Sequence, residues 1–250
     1  MFKAVTKDSR LLRDCIDTIS QLIDDGLFKL RKDGIELIAS DRAMVSVVDF
    51  KLKSSAFDEY ECDSPKQIGV SMQNFLTILK RANSDDKLTL SLNERENKLQ
   101  ITMHGNSIRN FSIPLIDISN EEIPPIDKLD FQATAEIRSD VFEEGIIDAD
   151  IIADSVVIEL AENNLRMYSE GNSSKAELNI EKGTAGLFDV SVKSKSKSRY
   201  SLEYLKKMIR GSRLADKIKM NLGNDYPLRL EFRNDQASMA MILAPRVSED

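Results

Sequence analysis

The chain has 250 residues, of which 41% are hydrophobic and 31% are charged, and its net charge is −7 at pH 7. This length suits two domains of about 100–150 residues, no apolar run reaches the roughly 18 residues of a membrane-spanning helix, and the opening residues predict no secretory signal. The negative charge excludes indiscriminate adhesion to nucleic acid but allows a local basic surface.

Four amphipathic helices interrupt a sequence that is otherwise rich in strand signals. Each helix begins at a serine, whose hydroxyl can accept a hydrogen bond from a free N–H of the first turn, and each has an apolar stripe at helical spacing. The predicted helices span 9–19, 71–82, 139–148 and 201–210. The clearest predicted strands, which alternate or are rich in β-branched residues, are 34–39, 45–52, 88–92, 99–103, 218–222 and 228–232.

The second half of the chain repeats the first. Residues 2–5 correspond to 131–134, and residues 86–92 correspond to 216–222. We therefore predict two tandem α+β domains of one topology. Repeated domains favour a symmetric or ring-like assembly over a catalytic cleft.

The predicted domains, 1–116 and 131–250, are joined by an acidic segment, 117–130. This segment contains two prolines and lacks a clear period, so we interpret it as the interdomain linker. A second unusual segment, 193–199, alternates lysine with serine and ends in arginine. Its simplest interpretation is a solvated strand edge or loop.

Cations lie opposite the apolar stripes of three of the helices. Such faces are either ordinary solvated surface or sites for phosphate contacts that do not read bases. No aromatic residues are interleaved with them, so stacking on single-stranded bases is not expected. The candidate cations are Arg10, Arg13, Lys80, Arg81, Lys206, Lys207, Arg210 and Arg213. The third helix differs, because it carries Glu143, Glu144, Asp148 and Asp150.

Catalytic and metal-binding signals are weak. His104 is the only histidine and is interpreted as a surface turn residue. No glycine-rich phosphate loop, serine elbow or His/Cys cluster is present. The acidic pairs 85–86 and 121–122 need only be solvated turns, and Cys15 and Cys62 are expected to be buried, reduced thiols. We predict no catalytic residue, metal or cofactor.

Several segments resemble the proliferating cell nuclear antigen family of DNA sliding clamps. They run in order along the chain and are 1–4, 41–48, 57–63, 78–82, 201–205, 227–230 and 243–247. The resemblance implies a non-catalytic ring of three chains, with pseudo-sixfold symmetry, four helices per chain facing duplex DNA and antiparallel sheets outside. The segment after Pro245 and the lysine-rich fourth helix favour archaeal members.

The resemblance also implies partners. A ring of this family is opened by an ATP-dependent clamp loader and tethers DNA polymerase, flap endonuclease and DNA ligase through short peptide motifs, inside the cell on DNA. Carried over by position, the peptide pocket would be formed by Ser40, Met44, Val45, Val47, Ile123, Pro124, Pro227, Ile242, Leu243, Ala244 and Pro245. Met44 stands where many relatives have histidine, and Ser40 replaces a larger apolar residue of some relatives.

Two alternating segments are candidates for joining the subunits edge to edge, because an unpaired edge strand is a liability when exposed. The candidate interface residues are Asn106, Ile108, Asn110, Phe111, Ile113, Lys175, Glu177, Leu178 and Ile180. We also expect Val45, Val47, Ile123, Pro227 and Leu243 to form an exposed apolar patch.

Two alternatives to a homotrimeric clamp stay open from the sequence. A hydrolase that uses paired carboxylates would be a compact monomer with an acidic cleft. The acidic third helix also allows a subunit of a heterotrimeric or damage-checkpoint ring. The mass of the purified chain in solution separates the monomer from the rings.

Overall fold

The computed structural model describes residues 1–119, 123 and 125–246. Each half of this described chain runs strand, helix, five strands, helix, three strands. The internal repeat predicted from sequence is therefore confirmed as a repeat of secondary structure. The fold is α+β with antiparallel sheets, as predicted.

The first half begins near residue 2 and ends at Pro114. Its elements are β1 (Phe2–Thr6), α1 (Arg10–Ile19), β2 (Asp25–Arg31), β3 (Gly34–Ser40), β4 (Ser46–Lys53), β5 (Glu59–Cys62), β6 (Lys66–Ser71), α2 (Met72–Leu79), β7 (Lys87–Asn93), β8 (Lys98–His104) and β9 (Ile108–Pro114).

The second half repeats this order. Its elements are β10 (Ala133–Arg138), α3 (Ser139–Ile152), β11 (Ser155–Ala161), β12 (Asn164–Glu170), β13 (Lys175–Glu181), β14 (Leu187–Val192), β15 (Ser196–Ser201), α4 (Leu202–Met208), β16 (Lys217–Leu222), β17 (Leu228–Arg233) and β18 (Ala237–Leu243).

The described residues form two compact units. The first contains 1–42, 48–119, 123 and 234–239, and the second contains 43–47, 125–233 and 240–246. Residues 43–47 thus belong to the unit that is built mainly from the second half of the chain. Residues 234–239 belong to the unit that is built mainly from the first half. The sequence-based domain limits and the linker at 117–130 stay a prediction.

The sheets of each unit leave particular strands at an edge. In the first unit, one sheet has the strand order β5-β1-β7-β8-β9, and β2 pairs with both β3 and β6. In the second unit, one sheet has the order β13-β12-β11-β15, and β10 pairs with both β14 and β16. Alternation explains these strands: in β8, Leu99, Ile101 and Met103 are buried and the residues between them are not.

The helices pack in pairs, α1 with α2 and α3 with α4. The predicted apolar stripes are confirmed, since all but half-buried Val141 are buried: Leu12, Cys15, Ile16, Ile19, Met72, Phe75, Leu76, Leu79, Phe142, Ile146, Leu202, Leu205, Met208 and Ile209. Full burial of one such aliphatic side chain contributes about 1.5–3 kcal/mol. The stripes therefore hold each helix pair against its sheet.

The predicted serine caps are wrong in their hydrogen bonding. Ser9, Ser71 and Ser201 precede α1, α2 and α4, but none of these side chains makes a capping hydrogen bond. Ser71 and Ser201 end strands, and their pairing with Asp25 and Ser155 fixes their backbone. Ser139 is the first residue of α3, and its hydroxyl donates instead to the Ala215 carbonyl oxygen at 2.6 Å.

Both cysteines are free and buried, as predicted. Burial raises the pKa of the Cys15 thiol far above its ordinary value. Since the thiolate is the reactive form, Cys15 is an inert core residue. No described helix combines the length and the apolar character needed to cross a membrane.

Candidate nucleic-acid interface and partner surfaces

The first basic surface of the first unit lies on α1 and just past α2, which ends at Leu79 and not at residue 82 as predicted. Arg10, Lys80 and Arg81 are exposed, and Arg13 is half-buried. The Lys80 ammonium nitrogen lies 3.1 Å from a carboxylate oxygen of Asp17, which is itself 7% exposed. An ammonium has three donors, so Lys80 can hold Asp17 and still donate to a phosphate.

The start of α1 forms an open, mostly basic pocket. Arg10 Nη2 lies 2.6 Å from Asp8 Oδ2, and the backbone N–H of Arg10 donates to Asp8 Oδ1 at 3.0 Å. These hydrogen bonds lower the pKa of Asp8 to about 2, so the carboxylate stays charged at neutral pH. The pocket is also lined by Lys7, which sequence reasoning missed. Its position just before a helix N-terminus, where anions are favoured, is the signal that could have found it.

The second basic surface lies at the end of α4 in the second unit. Lys206 Nζ lies 2.7 Å from Asp150 Oδ2 on α3, and Lys207 Nζ lies 2.8 Å from Glu203 one turn earlier. Arg210 is exposed, as is Arg213, and both lie on a 3-10 segment, Ile209–Leu214, that continues from α4. The sequence prediction had placed Arg210 on the α-helix itself.

Helix α3 presents a different surface, in agreement with its sequence. Glu144, Asp148 and Asp150 are exposed, whereas Glu143 is half-buried. On the same helix, Ile147 and Ile151 are 53% and 77% exposed. The exposed face of α3 is therefore acidic and apolar. Its one described ion pair to α4, through Asp150, joins it to the basic surface.

The predicted peptide pocket is partly assembled within the second unit. The Ala244 N–H donates to the Val45 carbonyl oxygen at 2.9 Å, which brings the segment 43–47 beside the end of β18. Met44 is 53% exposed and has a positive φ of 57°, a conformation that is uncommon for a non-glycine residue. Val45, Pro227, Ala244 and Pro245 are half-buried.

The prediction that all five patch residues are exposed is wrong for Val47 and Leu243. Val47 is 6% exposed and Leu243 is fully buried, because both point from their strands into the core. Ser40 and Ile242 are also buried. Ile123 is half-buried, and Pro124 lies outside the described residues.

The candidate interface segments coincide with edge strands. In the described chain, β9 pairs only with β8 and β13 pairs only with β12. Ile108 is 61% exposed at the start of β9, Asn106 is exposed in the preceding turn, and Asn110 is exposed on the strand. Ile113 and Ile180 are buried on the core side, with Phe111 and Leu178 half-buried and Lys175 and Glu177 exposed.

His104 and Asp86, the titratable residues that the sequence analysis weighed for catalysis, lie at a strand end and in a buried ion pair, respectively. His104 is the exposed last residue of β8. Asp86 is buried, accepts from the Asn83 N–H at 2.7 Å and pairs with Arg109, so its interpretation as a solvated turn residue is wrong. Glu121 and Glu122 lie outside the described residues. The described part of the chain contains no cluster of three His, Cys, Asp or Glu residues arranged for a metal ion.

Comparison with known proteins gives matches over nearly the whole chain. Residues 1–122 match the model of the proliferating cell nuclear antigen N-terminal domain, and residues 125–247 match that of the C-terminal domain. The "DNA polymerase sliding clamp" of Pyrococcus furiosus and the "DNA polymerase sliding clamp 1" of Thermococcus kodakarensis are each 35% identical over 249 residues, which is 99% of both chains compared. The crystal structure of the proliferating cell nuclear antigen of Thermococcus kodakaraensis matches with a TM-score of 0.91 at 29% identity, covering 98% of this chain and 100% of that chain.

Proposed function

The chain belongs to the proliferating cell nuclear antigen family, and on that premise we propose that it is a sliding clamp that encircles duplex DNA and tethers DNA polymerase. The observation that carries this proposal is the placement of cations on or just beyond paired helices in both units. In a ring of three chains, these helices would line the hole. The chain would act as a processivity factor without catalysis of its own.

Ring closure would use the unpaired strands β9 and β13. Each has a free edge in the described chain, and each alternates core-facing residues with exposed ones. Antiparallel addition of β9 to the β13 edge of the next chain would satisfy both edges. Head-to-tail contacts of this kind generate a closed ring when the rotation between subunits permits.

Contacts with DNA would be weak, electrostatic and independent of base sequence. Lys80 and Lys206 keep carboxylate partners on neighbouring helices, so a phosphate must share or compete for each ammonium. Neutralising phosphates releases counterions, and attraction therefore falls steeply as salt rises. A ring that is topologically linked to the duplex does not need tight binding, and weak contacts permit sliding.

Partner enzymes would dock on the surface formed by Met44, Val45, Pro227, Ala244 and Pro245. A short motif with a helical turn and aromatic anchors fits a small apolar surface of this kind. Met44 is exposed, and an unbranched methionine side chain adapts to differently shaped partners. The partners we propose are DNA polymerase, clamp loader, flap endonuclease and DNA ligase, in an intracellular location on DNA.

The test of the DNA-facing assignment is a variant with Lys80, Arg81, Lys206 and Lys207 all changed to alanine. The matched control changes four exposed lysines that are not assigned to DNA contact, Lys32, Lys51, Lys217 and Lys219. Both variants lose the same charge, so a difference between them reports position. We expect the helix variant to lose clamp-dependent processive synthesis on primed circular DNA as salt rises, whereas the control behaves like the parent.

Two further readouts complete this test. Ring mass and binding of a partner peptide should be unchanged in both variants, because neither depends on the substituted cations. Equal stimulation of polymerase by the helix variant and the parent across the salt series would overturn the assignment. A mass near three chains of 28.2 kDa for the purified parent would support a homotrimer, whereas a monomer that forms a ring only with another protein would support the heterotrimeric alternative.

A further inference from the structure

The lysine–serine run of the second unit forms a strand with one cationic face. Within β15, Ser196, Ser198 and Tyr200 are buried, while Lys197 and Arg199 are exposed. Lys195 is exposed just before the strand. Side chains on one face of a strand repeat about every 6.6 Å, so Lys197 and Arg199 lie in a row on that face, and Lys195 precedes them at the same two-residue spacing in sequence.

The strand register places further cations beside this row. Lys197 lies opposite Glu159 on β11, which lies opposite Arg166 on β12. In the next row, Arg199 lies opposite Val157, which lies opposite Tyr168. We call the surface formed by Arg166, Lys175, Lys195, Lys197 and Arg199 the cationic sheet face.

The ring of Tyr168 holds three of these cations close together. Arg166 Cζ lies 4.5 Å from the ring centroid, and the ammonium nitrogens of Lys175 and Lys197 lie 5.6 Å and 5.7 Å from it. An aromatic face attracts cations through its quadrupole. Since cations occupy the ring, it is not available as a stacking platform for a nucleobase.

Carboxylates fix part of the cluster but do not neutralise it. Glu177 accepts from Arg166 Nε at 2.8 Å and from Nη2 at 3.0 Å, and it lies 2.9 Å from Lys175 Nζ. These cations lower the pKa of Glu177 to about 2, so it remains ionised. Glu159 pairs with Lys195 at 2.9 Å. Across the described chain, neither Lys197 nor Arg199 has a carboxylate oxygen in ion-pair distance.

The backbone edge of β15 is already closed. The Asp225 N–H donates to the Lys197 carbonyl oxygen at 3.0 Å, and the Arg246 N–H donates to the Arg199 carbonyl oxygen at 2.8 Å. A partner therefore cannot add to this edge as a further strand. It must meet the cationic sheet face through its side chains.

We propose that the cationic sheet face binds an extended acidic segment of a partner protein, at a site that shares no residue with the apolar peptide pocket. An extended chain has the same two-residue repeat as β15, so carboxylates at alternate positions can each face one cation of the row. Lys197 and Arg199, which form no ion pair among the described residues, are the anchors. Positive charge at this face stands out in a chain whose net charge is −7, and complementary charge favours both encounter and selection of a partner.

The test measures binding of a fluorescent peptide that alternates glutamate with serine, by anisotropy at low salt. We expect the double variant Lys197→Glu, Arg199→Glu to weaken binding about tenfold or more, because it replaces attraction by repulsion. The matched control is Lys217→Glu, Lys219→Glu, which reverses two alternate exposed lysines on another strand of the same unit. This control should stay within about twofold of the parent, since it changes net charge equally but leaves the row intact.

Three outcomes would overturn the proposal. Equal weakening by both double variants would show that only net charge matters. Equal binding of a peptide of the same composition with its glutamates in one block would show that the spacing of the row is irrelevant. Competition by oligothymidylate of equal charge at the same concentration would identify a nucleic-acid surface instead. Circular dichroism and ring mass of each variant confirm folding. Because neither Lys197 nor Arg199 is part of β9 or β13, ring assembly and the proposed clamp function are tested separately.

Discussion

Asp8 shows how a single exposed carboxylate orders the basic end of α1. Its oxygens accept from both the side chain and the backbone N–H of Arg10. These bonds hold the pKa of Asp8 at about 2, below its usual 3.8. Because the pKa of Asp8 is lower in the folded state than in the unfolded state, its interactions stabilise the fold fully at pH values above the pKa of the unfolded state. This stabilisation is lost as the pH falls through about 2.

We therefore predict a small, pH-dependent cost of Asp8→Asn. Asparagine keeps an oxygen for the Arg10 N–H but loses the charge. The free energy of unfolding at about pH 6 should fall by less than roughly 1 kcal/mol, because Asp8 and Arg10 are largely exposed, and the difference from the parent should vanish near pH 2. Urea unfolding followed by circular dichroism across this range measures it, with Asp85→Asn as the control. A difference that grows toward low pH would contradict the stated role.

The ion partners of the basic residues were not predictable from sequence. Lys80 contacts Asp17, and Lys206 contacts Asp150, in each case on another helix. The hydrophobic periodicity indicates which face of a helix is solvated, and it correctly predicted that Lys80 and Lys206 are exposed. It does not indicate which residues of two packed helices meet, because that depends on how their ridges interdigitate.

At the scale of elements, local pattern predicted strands better than helix ends. The alternation in β7, β8, β16 and β17 located them closely, because alternate burial is a property of the strand itself. Helix α3 extends to Ile152 rather than ending at 148, and its last turn carries the exposed Ile151, which lies beyond the predicted apolar stripe. The sequence indicated β9 and β13 as candidate interface strands through their alternating side chains, but it did not indicate the partner of each edge.

The edge role of β9 leads to a prediction for Ile108. Proline at this position removes a backbone donor, and proline is incompatible with a strand that pairs on both sides. We expect Ile108→Pro to shift the protein from trimer to monomer, as measured by light scattering after size exclusion. Ile108→Thr keeps the N–H and a β-branched side chain, and it should stay trimeric. A trimer of unchanged mass for Ile108→Pro would mean that β9 does not form the subunit interface.

At the scale of the whole molecule, the proposed docking and DNA surfaces use different residues and should fail independently. Val45 is half-buried beside Ala244 and is not one of the residues assigned to DNA contact. Val45→Asp places a charge on an apolar docking surface, and we expect it to weaken binding of a partner peptide at least about tenfold. Ring mass and retention on circular DNA should match the parent.

Val45→Ala is the control for this prediction, because it removes apolar contact without adding charge and should weaken the peptide less. Isothermal titration with one peptide and all three proteins gives the comparison. If Val45→Asp binds the peptide like the parent, the docking surface is wrongly placed. If Val45→Asp also fails to assemble into a ring, its loss of peptide binding reflects misfolding. The peptide affinity of Val45→Ala then tests the docking surface.

The interhelical pairs of Lys80 with Asp17 and of Lys206 with Asp150 bear on how a duplex would travel through the proposed ring. A lysine that loses one phosphate returns to its resident carboxylate before it meets the next, so its charge is never left bare. The energy difference between neighbouring positions of the duplex is then small, because each exchange replaces one anion by another. The acids of the helices would thus lower the energy barrier to sliding along the DNA, and they would also lower the affinity of the ring for it.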